Sequence, residues 1–177
     1  VCDIVIDLAA EKADENTDFI LCPESCLQDY AWEENLDASP SIVYLRNFEN
    51  KYPKAEIISG MSSRRMLPEG VMTKAARKHR HIPNRYYESC NIAVKIDRDT
   101  VSPCSQLRHK SILTPFVEKM PFKAVLGFLG DLALDLGGTV GTLGTDEEYI
   151  VFSSDGKPKT ATAICYESTD GRYISQL

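Results

Sequence analysis

Three side chains of the kinds that carry acyl transfer stand at comparable places in this chain. Glu24 follows the short apolar run DFILC, Lys110 closes the strand-like stretch SPCSQLRHK, and Cys165 ends the run TATAI within ATAICYES (161–168). A free cysteine has a pKa near 8.5, and only its thiolate attacks well. A carboxylate within hydrogen-bond reach can take the thiol proton and later return it to a leaving group. A lysine ammonium beside them favours the thiolate and stabilises the oxyanion of a tetrahedral intermediate. Taken singly, each residue has a plainer reading. Glu24 could be a loop carboxylate, Lys110 a solvated lysine and Cys165 a packed core residue. Together they imply chemistry only if the fold brings them into one volume.

The elements around them favour that. VCDIVIDLAAEKADEN places Val1, Ile4, Val5, Leu8 and Ala9 at helical spacing, and DFILC, ended by Pro23, reads as a strand. SPSIVYLRNFENKY predicts a second helix, with Ser39 as N-cap and Pro40 at the first helical position. AEIISG is the next strand, so helix and strand alternate as in an α/β layered domain. CNIAVKID predicts another strand, and a turn through Arg98, Asp99 and Thr100 leads into SPCSQLRHK. EYIVFSS and TATAICY, joined by a Ser-Asp-Gly turn, predict a hairpin. Ligand sites in open α/β sheets gather outside the carboxyl ends of strands, which is where Glu24, Lys110 and Cys165 would all lie.

Between these elements are two unusual stretches. Residues 64–85 hold seven Lys or Arg against one acid, Glu69, with Pro68 and Pro83. They read as an inserted surface loop, either merely solvated or touching anionic lipid head groups. FKAVLGFLGDLALDLGG, rich in Leu and Phe, predicts a helix with a wide apolar face stopped by Gly137 and Gly138. GGTVGTLG lacks the Gly-Lys-Ser/Thr ending of a phosphate loop, so nucleotide binding is not expected.

With 177 residues, 43% of them hydrophobic, the chain can form one domain with a core. A net charge of −6 argues against non-specific nucleic-acid binding. Six cysteines (Cys2, Cys22, Cys26, Cys90, Cys104, Cys165) and three histidines show no metal-ligand spacing, so neither a metal nor another cofactor is expected. Most of the cysteines read as small buried hydrophobes. Cys22 and Cys26 flank the Glu24 turn, but spacing alone does not establish a disulfide.

LCPES (21–25), HKSILTPFVEKMPF (109–122) and ICYES (164–168) resemble the three signatures of the carbon-nitrogen hydrolase, or nitrilase, superfamily. The middle segment, the Cys-Tyr-Glu ending and the apolar stretch between Lys110 and Cys165 are similar to the apolipoprotein N-acyltransferases within it. That resemblance implies an α-β-β-α sandwich with Glu24 as general base, Lys110 as oxyanion stabiliser and Cys165 as nucleophile. It implies that Glu118 supports the lysine and that Tyr166 and Glu167 shape or gate the pocket, simple packing at the strand end being the alternative. Its reaction takes an acyl chain from a phospholipid onto cysteine and passes it to the α-amine of an apolipoprotein's lipid-modified cysteine. The setting it implies is the bacterial inner membrane, with the domain facing the periplasm. The leucine-rich residues 124–136 would then be an arm dipping into the bilayer surface, or an ordinary core helix.

The chain departs from the family in lacking membrane-spanning helices and in carrying Val117 where a glycine is common. Val1 opens mid-pattern and Leu177 falls soon after the nucleophile, so residues 1–177 are expected to be a partial carbon-nitrogen hydrolase domain. Two rival readings remain: a soluble amidase using the same three residues with water as acceptor, and a binding module that keeps the fold without the activity.

Overall fold

The protein, seen in a computed structural model, is described over residues 2–96, 106–115, 117–118 and 142–177. The expected turn at 98–100, Cys104 and the apolar 124–136 segment lie outside the described residues, as do Gly137 and Gly138.

Helix α1 (Cys2–Ala10) forms as expected, but its inward stripe is Cys2, Val5, Ile6 and Ala9. Ile4 and Leu8 are exposed. Strand β1 (Phe19–Leu21) is followed by β2 (Leu27–Trp32) and a 3-10 turn over Glu33–Ala38. Helix α2 (Pro40–Glu49) carries Pro40 in its first turn as expected. Ser39 occupies the N-cap position but makes no side-chain cap bond. Asp29 of β2 takes that role: it accepts bonds from the Ser39 hydroxyl and from the Ser41 amide at 3.0 Å. A carboxylate from another element therefore satisfies the helix's open amide and complements its positive end.

Strands β3 (Glu56–Met66) and β5 (Tyr86–Ile96) form the centre of a six-stranded sheet. They pair antiparallel from Ile57↔Ile96 to Met66↔Tyr87. On its other edge β3 pairs in parallel with β1 and then with β2. The free edge of β5 takes β4 (Arg77–Lys78) and β6 (Gln106–His109), both antiparallel. Strands β7 (Val151–Phe152) and β8 (Thr160–Ala161) form the expected hairpin as a separate two-stranded sheet. The architecture is mixed α/β with a mainly antiparallel sheet. No described helix is long and apolar enough to cross a membrane.

Alternation of side chains along the strands divides the interior in two. Ile57 and Met61 of β3 and Cys90, Ile92, Val94 and Ile96 of β5 pack with Leu45 and Phe48 of α2 and with α1. Ile58 and Ala93 point the other way and pack with Phe152 of β7 and Ile164. Helices thus cover one face of the sheet and the hairpin covers part of the other.

The basic insertion is only partly a loop. Arg64–Met66 complete β3, and Arg77–Lys78 are strand β4. Trp32 anchors it, lying 5.5 Å from the His79 ring and 5.4 Å from that of Tyr87, with the Arg64 guanidinium 5.9 Å above it. Cys165 also departs from expectation. The strand ends at Ala161, and Cys165 opens a 3-10 turn (Cys165–Thr169) instead of closing a strand.

Candidate active site

Glu24 owes its place to the end of β1. The Cys22 amide still pairs with the Ile58 carbonyl of β3 at 2.8 Å. Beyond it the Pro23 carbonyl accepts from the Gly60 and Cys26 amides, each at 3.3 Å, and the chain turns through Ser25 in the left-handed region (φ 54°). The turn lies directly on β3. A Cβ on Gly60 would come within 2.7 Å of both the Glu24 Cα and the Pro23 oxygen, so no side chain fits there.

Lys110 follows β6, where its amide donates to the Asn91 carbonyl at 2.8 Å. Alternation sends its side chain to the face opposite His109, and the side chain is only 1% exposed. The solvated-lysine reading is therefore overturned. Its Nζ lies 3.0 Å from Glu24 Oε1 and 2.8 Å from Glu118 Oε2. Glu118 is fixed in turn by the Thr114 amide at 2.8 Å. Burial pulls the Lys110 ammonium toward losing its proton. Hydrogen bonds to Glu118 and Glu24 outweigh that, and its pKa stands above the ordinary lysine value. Burial likewise opposes charge on Glu118, but Lys110 and the Thr114 amide hold its pKa below the ordinary carboxylate range.

Asn91 is a member of this group that the sequence reading missed. Its side-chain amide donates to Glu24 Oε1 at 2.7 Å and to Glu118 Oε1 at 3.2 Å, tying the two carboxylates together. A polar residue within the apolar run CNIAVKID was the available signal, because a buried amide must find partners.

Cys165 is exposed, which removes the core-packing reading. Its backbone is left-handed (φ 51°), a conformation that costs a non-glycine residue on the order of 1 kcal/mol and tends to occur where function demands it. Cys165 and Glu24 line one cavity of about 420 Å3, with Leu21, Ile58, Gly60 and Thr162 among its other walls. Lys110 reaches that cavity through Glu24 instead of lining it. Tyr166 is 40% exposed and is not part of the lining.

Glu167 is fully buried and acts as a brace. Oε2 accepts from the Ile164 amide at 2.7 Å, while Oε1 accepts from the Ser111 amide and from Arg108 Nη2, each at 2.6 Å. One carboxylate thus joins the residue before Cys165 to the residue after Lys110. A side chain with no exposed surface and several hydrogen bonds does not move as a gate. Arg108 lies two residues before Lys110, so the two side chains project to the same side of the sheet.

The structure therefore gathers Glu24, Lys110 and Glu118 in direct contact and sets Cys165 on the same cavity as Glu24. No family model and no curated protein matches the chain.

Proposed function

We propose that this chain carries the acyl-transfer site of an apolipoprotein N-acyltransferase, on a nitrilase-type α-β-β-α sandwich at the periplasmic side of a bacterial inner membrane. The observation that carries the reading is the placement of Glu24, held by Lys110 and Asn91, on the cavity that Cys165 also lines. The order of layers supports the fold: helices, a large sheet, then a small sheet.

In this reading Glu24 takes the thiol proton of Cys165, and the sulfur attacks the ester carbonyl of a phospholipid. Negative charge builds on the carbonyl oxygen. The Lys110 ammonium, in contact with Glu24 just behind the cavity wall, offsets that charge through its field. Collapse breaks the ester C–O bond, and Glu24 returns the proton to the departing lysophospholipid hydroxyl. Cys165 is left as a thioester. The α-amine of the acceptor then attacks the thioester carbonyl, Glu24 accepts the amine's proton, and an amide forms as the Cys165 thiol is regenerated. The apolar walls Leu21, Ile58 and Ile164 suit an acyl chain.

Mass spectrometry of the protein incubated with phospholipid vesicles tests this. The expected result is a fatty-acyl adduct on the Cys165 peptide, labile to hydroxylamine, absent from Cys165→Ala and discharged by a peptide bearing an amino-terminal diacylglyceryl cysteine. Release of ammonia from small amides without any phospholipid-derived adduct would favour the amidase instead.

A further inference from the structure

On the other face of the same sheet lies a second cluster that the proposed reaction does not use. Cys90 and His109 are the residues next to Asn91 and Lys110, so alternation sends them away from the cavity. Glu33, from the 3-10 turn after β2, meets them there. We propose that Glu33, Cys90 and His109 bind a divalent cation of the zinc class.

Three observations support the site. One sulfur, one imidazole nitrogen and one carboxylate oxygen, each from a different element, lie within 4.8 Å of one another. Edges of a tetrahedron built on metal bonds of about 2.0–2.3 Å measure roughly 3.3–3.8 Å, so only small rotations are needed. Second, His109 is already oriented as a ligand. Its Nδ1 lies 2.7 Å from Asp146 Oδ2, which leaves Nε2 toward Glu33, 3.0 Å from each carboxylate oxygen. A carboxylate behind a ligating histidine is the usual support for such a ring. The Ser63 hydroxyl donates to Glu33 Oε1 at 2.6 Å and steadies the third ligand in the same way.

Third, three carboxylates, Glu33, Glu88 and Asp146, meet one fixed cation, the Arg65 guanidinium, which Glu88 engages at 2.9 Å and Asp146 at 2.7 Å. Thr73 also donates to Glu88. Glu33 is left with a hydroxyl and the imidazole. An arriving dication displaces the Cys90 thiol proton to solvent as the metal–sulfur bond forms.

The donor set selects the metal class. A thiolate with an imidazole and a carboxylate suits zinc, whereas calcium and magnesium take oxygen ligands. The ion would tie β5, β6 and the Glu33 turn together, directly behind Asn91 and Lys110. Its role is to hold the strands in place, with no part in the acyl chemistry.

The test titrates the reduced, metal-free protein with Co2+. The expected result is a thiolate-to-cobalt charge-transfer band that Zn2+ abolishes, that Cys22→Ser and Cys26→Ser retain and that Cys90→Ser loses, with a rise in Tm on adding Zn2+. A missing band in the wild-type chain, or one kept in Cys90→Ser, overturns the site. Should Cys90→Ser fail to fold, X-ray absorption fine structure of the zinc-loaded wild-type protein reads the ligands directly. A single sulfur among nitrogen and oxygen ligands supports the proposal, and no sulfur or more than one overturns it.

Discussion

Arg108 and Glu167 meet at 2.6 Å with neither side chain reaching solvent, and this pair joins the segment that carries Lys110 to the turn that carries Cys165. Among the described residues, Arg108 Nε and Nη1 have no hydrogen-bond partner, although the guanidinium lies 5.1 Å over the Tyr173 ring. The guanidinium therefore depends heavily on Glu167. Glu167→Ala should cost about 3–5 kcal/mol, the usual penalty for stranding one half of a buried ion pair. Urea denaturation measures it. The double variant Arg108→Met/Glu167→Leu should recover much of that stability but not activity, because the Ile164 and Ser111 amides stay untethered.

The Lys110–Glu118 pair sets limits on stability at both ends of the pH scale. Glu118 has its folded pKa below the ordinary 4.5, so its contribution is complete above 4.5 and is lost as pH falls through the folded value. Lys110 is raised above 10.5, so its contribution is complete below 10.5 and is lost as pH rises through the folded value. Glu118→Gln should lower stability near neutrality by about 1–3 kcal/mol and make the acid limb of Tm against pH shallower. Glu33 and Asp146, also held low, should preserve the rest of that limb. An unchanged acid limb in Glu118→Gln would contradict the pairing.

Asn91 should act by positioning Glu24. Asn91→Leu removes both donated bonds, leaving Glu24 to Lys110 and Glu118 to Lys110 and the Thr114 amide, and acyl transfer should fall roughly 10- to 100-fold, a loss of about 1.4–2.7 kcal/mol. The effect belongs in kcat and in the pH profile more than in KM, since Asn91 is not among the residues lining the cavity. Asn91→Asp should be worse, because it sets a third carboxylate against two. A kinetic pH profile identical to wild type in Asn91→Leu would rule out the positioning role.

Cysteine labelling reads the contrast between the two faces of the sheet. Cys165 is exposed, while Cys26 and Cys90 are buried and burial pushes Cys22 up to about 12. A short exposure to iodoacetamide at mildly alkaline pH should modify Cys165 before those three, since the attacking species is the thiolate. Peptide mass spectrometry gives the order. Labelling of Cys90 ahead of Cys165 would contradict the burial described.

Much of the fold was legible in the sequence because its elements obey local rules. Helical spacing marked α1, Pro40 marked the start of α2, and the Ser-Asp-Gly turn marked the hairpin. Strand β2 was missed because LQDYAW is polar and breaks its alternation, with Tyr30 in the left-handed region (φ 49°) and the pairing shifted between Leu27 and Ala31. The N-cap position, Ser39, was read correctly, but the acceptor that serves it, Asp29, lies on another element and was not legible. The residue types of the candidate site were legible one at a time. What holds them was not: Asn91, Glu167 and the close approach at Gly60 depend on contacts across the sheet. The grouping of Glu33, Cys90 and His109 was invisible for the same reason, since three separate elements contribute and no spacing links them.

The two-sidedness of β5 and β6 restricts how this protein can change length. One residue inserted before Asn91 within β5, or before Lys110 within β6, would hand each side chain beyond it to the wrong surface. Asn91 would turn toward the helices, or His109 toward the carboxylates that Lys110 now holds. Such strands can lengthen or shorten only in steps of two. Viable insertions and deletions in this chain should therefore collect in the connections, such as the stretch between Leu67 and Ala76, and leave the paired parts of both strands at constant parity.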